Sequence, residues 1–284
     1  MGAGGCELPE FKSVEVPETI EGWYILYDCW SIDWERVHAL SADERNELAK
    51  QADDWLANSP GKRGDSAAYS VISQKGDIMF VHYRDSPDAI SRTELALRAT
   101  KFFHLLKPSY SYFAVTEVSL YEVQAMATRR LIDRGLERGS SEFDAALGDE
   151  MEKQKERMSG RLWGEIPPQR YICFYPMSKR RGETVNWYAL PLSERRAMMR
   201  GHGSIGHKYA ETVKQVIGGS VGLDDWEWGV SLHSEHMLVF KKLIYEMRFD
   251  PATSWFGEFG PFYLGVRLGE SGVSDLLQGN LPKG

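Results

Sequence analysis

Aromatic and β-branched residues crowd the stretch Trp23–Ile32, which predicts a strand. Apolar residues at helical spacing then run from Trp34 to Asn58. Ser41 and Glu44 have capping-box spacing inside that run and predict a break near Ser41. Ala67–Ser73 and Ile78–Tyr83 read as two strands joined by a hairpin over Gln74–Asp77, with Gly76 available for positive φ. Ser86 followed by Pro87 starts a helix, and its apolar spacing continues to Leu106, with Pro108 as the expected stop. Tyr110–Val123 is the next strand. The order is β-α-β-β-α-β.

That order recurs. Tyr171–Lys179 is a strand, Ser193 caps a helix running to Tyr209, Thr212–Ser220 and Trp226–His233 are strands, Met237–Met247 is a helix, and Pro261–Leu268 is a last strand. An α+β protein of two ferredoxin-like β-α-β-β-α-β halves follows. The boundaries are 1–121 for the first half, 122–160 for a charged insertion or linker, and 161–284 for the second. Glu122–Gly160 has few aromatics and reads as a solvated helical insertion or mobile connector. The polar, Gly-containing tail from Gly269 reads as loosely ordered.

Composition narrows the function classes. The 284 residues are 42% hydrophobic and 26% charged, as in ordinary globular proteins. The formal net charge of -7 argues against a general nucleic-acid binder. No apolar stretch approaches the roughly 18 residues of a membrane-spanning helix. Met1–Glu10 has no apolar core of a secretory signal. Cys6, Cys29 and Cys173 are too far apart for a zinc motif or a disulfide framework, and a reducing cytoplasm is the simplest compartment.

Candidate chemistry concentrates in the second half. Lys179, Arg180, Arg181, Arg195, Arg196, Arg200 and Lys208 are opposed only by Glu183 and Glu194, a local basic excess that fits an anionic ligand as well as a solvated helix face. None of the seven histidines forms HxH or HExxH, which disfavours a cluster-type metal site. A single histidine can still hold a haem iron, because the porphyrin supplies four ligands. His202 shares a helix face with Met198, Met199 and Tyr209, and Gly201 and Gly203 would let a flat macrocycle approach. On position alone, a hydrogen-bonded core histidine is the plainer reading. Strand parity places Tyr175, Met177 and Lys179 on one face, which fits either a half-buried strand or a porphyrin edge bearing carboxylates. The Gly-rich run Gly218–Gly222 lacks a P-loop lysine, and Asp224, Asp225 and Glu227 lack EF-hand spacing.

Several runs carry a resemblance. They are Tyr171–Lys179, Asn186–Tyr188, Arg195–Gly203, Gln215, Gly219–Gly229, Phe240–Asp250 and Gly257–Gly260, dense between Arg161 and Leu268. The first half contributes Ser109–Tyr112 and Tyr121. Together they resemble the coproheme decarboxylases of the chlorite dismutase family. The resemblance implies a dimeric α+β barrel within each subunit, a homopentamer, and a cytoplasmic enzyme of haem biosynthesis. The implied reaction is peroxide-dependent oxidative decarboxylation of two propionates of iron coproporphyrin III (coproheme) to haem b through a ferryl/tyrosyl radical mechanism. The substrate is also the redox cofactor, and a transient contact with the ferrochelatase of the pathway is implied.

By position, the resemblance makes His202 the axial ligand, Tyr175 the radical-forming residue, Lys179 a propionate partner and Gln215 the residue facing peroxide. Tyr121, Arg161, Met177 and Arg248 become pocket residues or propionate partners. Two departures stand out: His207 occupies a usual arginine position, and Thr253 or Ser254 stands near a family serine that contacts a propionate. The rival readings are chlorite dismutation, a haem carrier or sensor without catalysis, and a dye-type peroxidase. Chlorite dismutation goes with a distal arginine, and neutral Gln215 lacks that fixed charge.

Overall fold

A computed structural model of the chain describes residues 19–59, 64–119 and 121–281. The first strand, β1 (Thr19–Ile32), starts four residues earlier than its aromatic run. The predicted break at Ser41 is present. α1 (Trp34–Ala39) stops there, and Ser41 caps α2 (Ala42–Asn58) with both capping-box hydrogen bonds to Glu44. β2 (Asp65–Ile72) and β3 (Ile78–Arg84) form the expected hairpin, and Gly76 has φ 153°.

The next helix is shorter than its apolar spacing implied. α3 (Pro87–Arg98) ends eight residues before Leu106, and a 3-10 turn at Phe102–Leu105 buries Phe102 and Leu105 in the core. β4 (Leu106–Ser119) already contains Pro108, which pairs with Trp30 beside a register shift, a place where a missing N–H is tolerated. β4 ends before the predicted Val123, and Tyr121 instead opens α4 (Tyr121–Asp133). α4 and α5 (Ser141–Leu162) form a helical hairpin in the charged segment, packed against β1 and β4.

The second half repeats the first. β5 (Tyr171–Lys179) leads to α6 (Leu192–Lys208), which begins one residue before the predicted cap Ser193, with Pro191 at the cap position. β6 (Lys214–Gly219), β7 (Trp228–Ser234) and α7 (Leu238–Met247) follow. Two short elements not foreseen come next, α8 (Pro251–Ser254) and β8 (Gly257–Phe259), before β9 (Tyr263–Arg267). The tail is ordered rather than loose. α9 (Gly272–Leu277) crosses back onto α2, and Asp53 accepts hydrogen bonds from Val273 N, Ser274 N and Ser274 Oγ. Val273, Leu276 and Leu277 are buried there, and their apolar contact holds the segment down.

The strand order is β4-β1-β3-β2 in one half and β6-β7-β5-β9 in the other, the same ferredoxin-like order twice. β4 pairs with β6 and β2 with β9, all antiparallel, so eight strands close on themselves and β8 extends β5. The fold is therefore the expected α+β barrel of two ferredoxin-like halves. Its interior is tight and aromatic, with Tyr27, Tyr69, Tyr83, Tyr112 and Phe174 buried, and a Cβ at Gly229 would come within 2.5 Å of the Tyr112 ring. Helices cover the outside of each half. Cys29 and Cys173 are free and buried, and Cys6 lies outside the described residues. No described helix is long and apolar enough to cross a membrane.

Candidate functional site

The run Arg195–Gly203 is helical but packs unusually. The only buried residue of α6 is Arg195, whose Nε has no described partner. α6 leans mainly on α7 and α8 rather than on the sheet. Met199 is 42% exposed, and a Cβ at Gly201 or Gly203 would meet nothing within 4 Å. Part of the sheet face of this half is open as well: on β6, Gln215 is exposed and Ile217 is 36% exposed, whereas Tyr175, Val230 and Leu232 on the same face are buried with Phe240 and Leu243 of α7. An amphipathic helix that leaves apolar groups uncovered beside an uncovered sheet face has the form of a binding slot.

His202 stands on α6 with its side chain 24% exposed. Its Nδ1 lies 3.1 Å from Asp250 Oδ2 and 3.3 Å from Thr253 Oγ1. A carboxylate on Nδ1 fixes that nitrogen as the donor, which leaves the Nε2 lone pair for a metal. Burial raises the Asp250 carboxyl, but hydrogen bonds from Thr253 and His202 outweigh it and hold the group below its ordinary value. Asp250 also caps α8 by accepting from Ala252 N at 2.9 Å. The histidine is thus oriented by a rigid turn. The Asp250–Pro251 pair is a helix-start signal in the sequence, yet nothing local says which histidine, 48 residues away, it receives.

Lys179 is held by the same turn. It is 7% exposed, its Nζ donates to Ala252 O at 2.8 Å, and it lies 4.6 Å from the centre of the Trp187 ring. Burial lowers its pKa to about 8, against the opposing pull of Asp250 and Glu227. Glu227, also buried, accepts from Lys179 N and sits 3.5 Å from Arg181. Tyr175 lies two positions before Met177 on the same face, against the rings of Phe262 at 4.7 Å and Phe259 at 5.7 Å. Burial pushes its phenol far above the ordinary range, with Arg248 pulling the other way, so the group is a neutral phenol at physiological pH. Arg248 is exposed and lies 4.1 Å over the Phe259 ring.

Register extends the face across strands. Cys173, Tyr175 and Met177 pair with Leu232, Val230 and Trp228, and these pair with Gln215, Ile217 and Gly219. Gln215, Met177, Tyr175 and Lys179 therefore share one sheet face, with His202 and Thr253 at the α6–α8 contact and Arg248 beside Tyr175. Thr253 is buried, and its hydroxyl lies between Asp250 and His202 Nδ1. Arg161 is exposed in the last turn of α5, next to Leu162, whose carbonyl accepts from Thr116 on β4. It has no described contact with the other predicted residues. The Tyr121 side chain lies outside the described part of the structure.

The residues fit an iron porphyrin. They offer one imidazole with a fixed tautomer, a slot beside it, and cations at its rim. Among the described residues no three His, Cys, Asp or Glu side chains gather as a cluster-type metal site.

The family model for chlorite dismutase matches residues 45–268. A haem-binding protein from Thermus thermophilus is 34% identical, with 94% of this chain and 99% of that chain covered and a TM-score of 0.77. A variant of chlorite dismutase from Candidatus Nitrospira defluvii is 18% identical, with 90% and 95% covered and a TM-score of 0.69. The same enzyme in complex with imidazole gives 18% identity, the same coverage and a TM-score of 0.68. At such identities these last two attest the fold.

Proposed function

This chain belongs to the chlorite dismutase family, and on that premise we propose that it catalyses peroxide-dependent oxidative decarboxylation of two propionates of coproheme, giving haem b. The observation that carries the reading is that Lys179 and His202 are held by one turn, α8, while Tyr175 shares the strand face of Lys179. A carrier needs only the histidine.

A bound iron porphyrin would supply the two-electron oxidation by hydrogen peroxide. His202 would hold the iron through Nε2, with Asp250 strengthening the imidazole as a donor. The Lys179 ammonium would pair with a propionate, leaving Ala252 O for a charge-assisted bond. Tyr175 would give up a proton and an electron, and its phenoxyl would take a hydrogen atom from the propionate β-carbon. The carbon–carboxylate bond then breaks as the second electron leaves. The balance for each propionate is –CH2CH2COOH plus H2O2 giving –CH=CH2, CO2 and two H2O. The phenyl rings of Phe259 and Phe262 fix the phenol's orientation and exclude water around it.

A homopentamer in the cytoplasm and a transient contact with ferrochelatase belong to the same reading. Leu238, Tyr245, Phe249 and Trp255, all exposed on and after α7, support a subunit contact. A second reading, haem binding without catalysis, draws support from the name of the 34% identical protein. Chlorite dismutation is disfavoured by Gln215, which has no guanidinium fork. The test is to load the protein with iron coproporphyrin III, add peroxide, and analyse the products by chromatography with mass detection. Haem b is expected. An intact tetracarboxylate porphyrin after peroxide is consumed would leave the binding reading standing alone.

A further inference from the structure

The two ends of the site's sheet face carry opposite charge. Lys179 ends β5 on one side. On the other side β4 brings Glu117, which no sequence motif pointed to. Glu117 lies two residues beyond Val115, the partner of Gly219. Its carboxylate reaches diagonally over that glycine, and a Cβ there would collide with Glu117 Oε2. Its other oxygen accepts from Trp228 Nε1 at 2.9 Å. Trp228 pairs with Gly219 on one side and Met177 on the other. Glu117, Trp228, Met177 and Lys179 thus lie across four adjacent strands on one face. Strands are about 4.8 Å apart, so the three intervals span roughly 14 Å, the scale of a flat macrocycle with its edge groups. Glu21 on β1 is the register partner of Glu117 and adds to the negative end.

We propose that Glu117 is an orientation-determining residue of this site: with Lys179 at the opposite end, it makes the face electrically polar, so that a porphyrin with two carboxylates on one edge seats them toward Lys179 and its uncharged edge toward β4. The inference rests on the porphyrin-binding reading above. A neutral glutamine would anchor Trp228 equally well and fit over Gly219 equally well. The negative charge is what separates a structural role from an orienting one. A porphyrin with two carboxylates on one edge can turn both away from Glu117. One with carboxylates around its rim cannot, and like charges at this range repel appreciably in a partly buried site.

The experiment titrates iron coproporphyrin III (four carboxylates) and iron protoporphyrin IX (two carboxylates) into the full-length apoprotein at about pH 7, following the haem absorption band. Glu117→Gln is expected to tighten the four-carboxylate porphyrin by about three- to tenfold and the two-carboxylate one by less than about twofold. The difference should shrink at about 1 M salt. In the cyanide-ligated ferric protoporphyrin complex, ring-methyl proton signals should show one dominant in-plane orientation in the parent protein and a mixture in the variant. Equal affinity changes for both porphyrins, with an unchanged methyl pattern, overturn the proposal. If the parent protein forms no complex that depends on His202, the site reading falls with it. A His202-dependent complex with an unaltered affinity ratio overturns this inference alone.

Discussion

The two halves share one strand order, yet their helix layers differ: in the first α2 packs into the core, whereas in the second α7 fills the layer and α6 is left largely exposed. In the first, α2 buries Ala49, Ala52 and Trp55, and α9 arrives from the far end of the chain to close the layer. Its buried guanidinium is fully partnered. Buried Arg84 donates from Nε to Thr93 at 3.0 Å, from Nη1 to the carbonyls of Asp65 and Tyr83 at 2.7 Å, and from Nη2 to Ser59 and Ser66. In the second half, α6 buries only Arg195, and His202, Met199, Gln215 and Ile217 remain accessible. The same architecture thus yields a scaffold where the helix lies on the sheet and a slot where it stands off. Burial stabilises the first half, and the second leaves apolar surface uncovered that a ligand can cover.

The sharpest way to break the comparison is to remove the slot's reactive group. Tyr175→Phe should keep iron-porphyrin binding and lose haem b formation by about a thousandfold, since a phenyl ring cannot exchange a hydrogen atom. Near-normal product by mass detection would remove Tyr175 from the chemistry. Next comes a paired stability test. Trp55→Ala in the closed half should cost about 3–5 kcal/mol. Met199→Ala in the open half should change stability by less than about 0.5 kcal/mol. Denaturant unfolding checks both, and equal losses would mean that α6 is packed as tightly as α2.

A third test uses pH. Asp28, 7% exposed, has its pKa raised by burial to about 6 from 3.8. A raised carboxyl makes the folded state bind the proton more tightly than the unfolded chain does. Its contribution to stability is therefore greatest below about 4 and is lost as pH rises to about 6 and beyond. The loss is on the order of 3 kcal/mol. Asp28→Asn should flatten that part of the stability profile, and an unchanged slope between pH 4 and 6 would assign it to other groups. A smaller loss than at Trp55 or Asp28 is expected at the closing tail. Asp53→Ala should cost about 1 kcal/mol by removing the acceptor for the start of α9, with amide exchange there speeding up first.

Much of this fold was legible in the residues because its determinants are local. The capping box at Ser41–Glu44 and the Ser86–Pro87 start each involve groups within a few positions. Strand parity correctly put Tyr175, Met177 and Lys179 on one face. The misreadings came where long-range packing overrode local pattern. Phe102 and Leu105 are drawn into the core and shorten α3, β4 carries Pro108 at a register shift, and the polar tail becomes α9 because α2 offers it an apolar surface.

Sequence by itself determined the repeated element order, the helix that carries His202 and the family resemblance. Tertiary structure alone decided that eight strands close into a barrel, that Asp250 and Thr253 meet His202 Nδ1, that Lys179 rests on the carbonyl of the same turn, and that Glu117 reaches over Gly219. The physical reason is range. Periodicity and caps act over three to four positions, whereas each of these contacts joins groups dozens of residues apart, whose meeting depends on how the two halves pair.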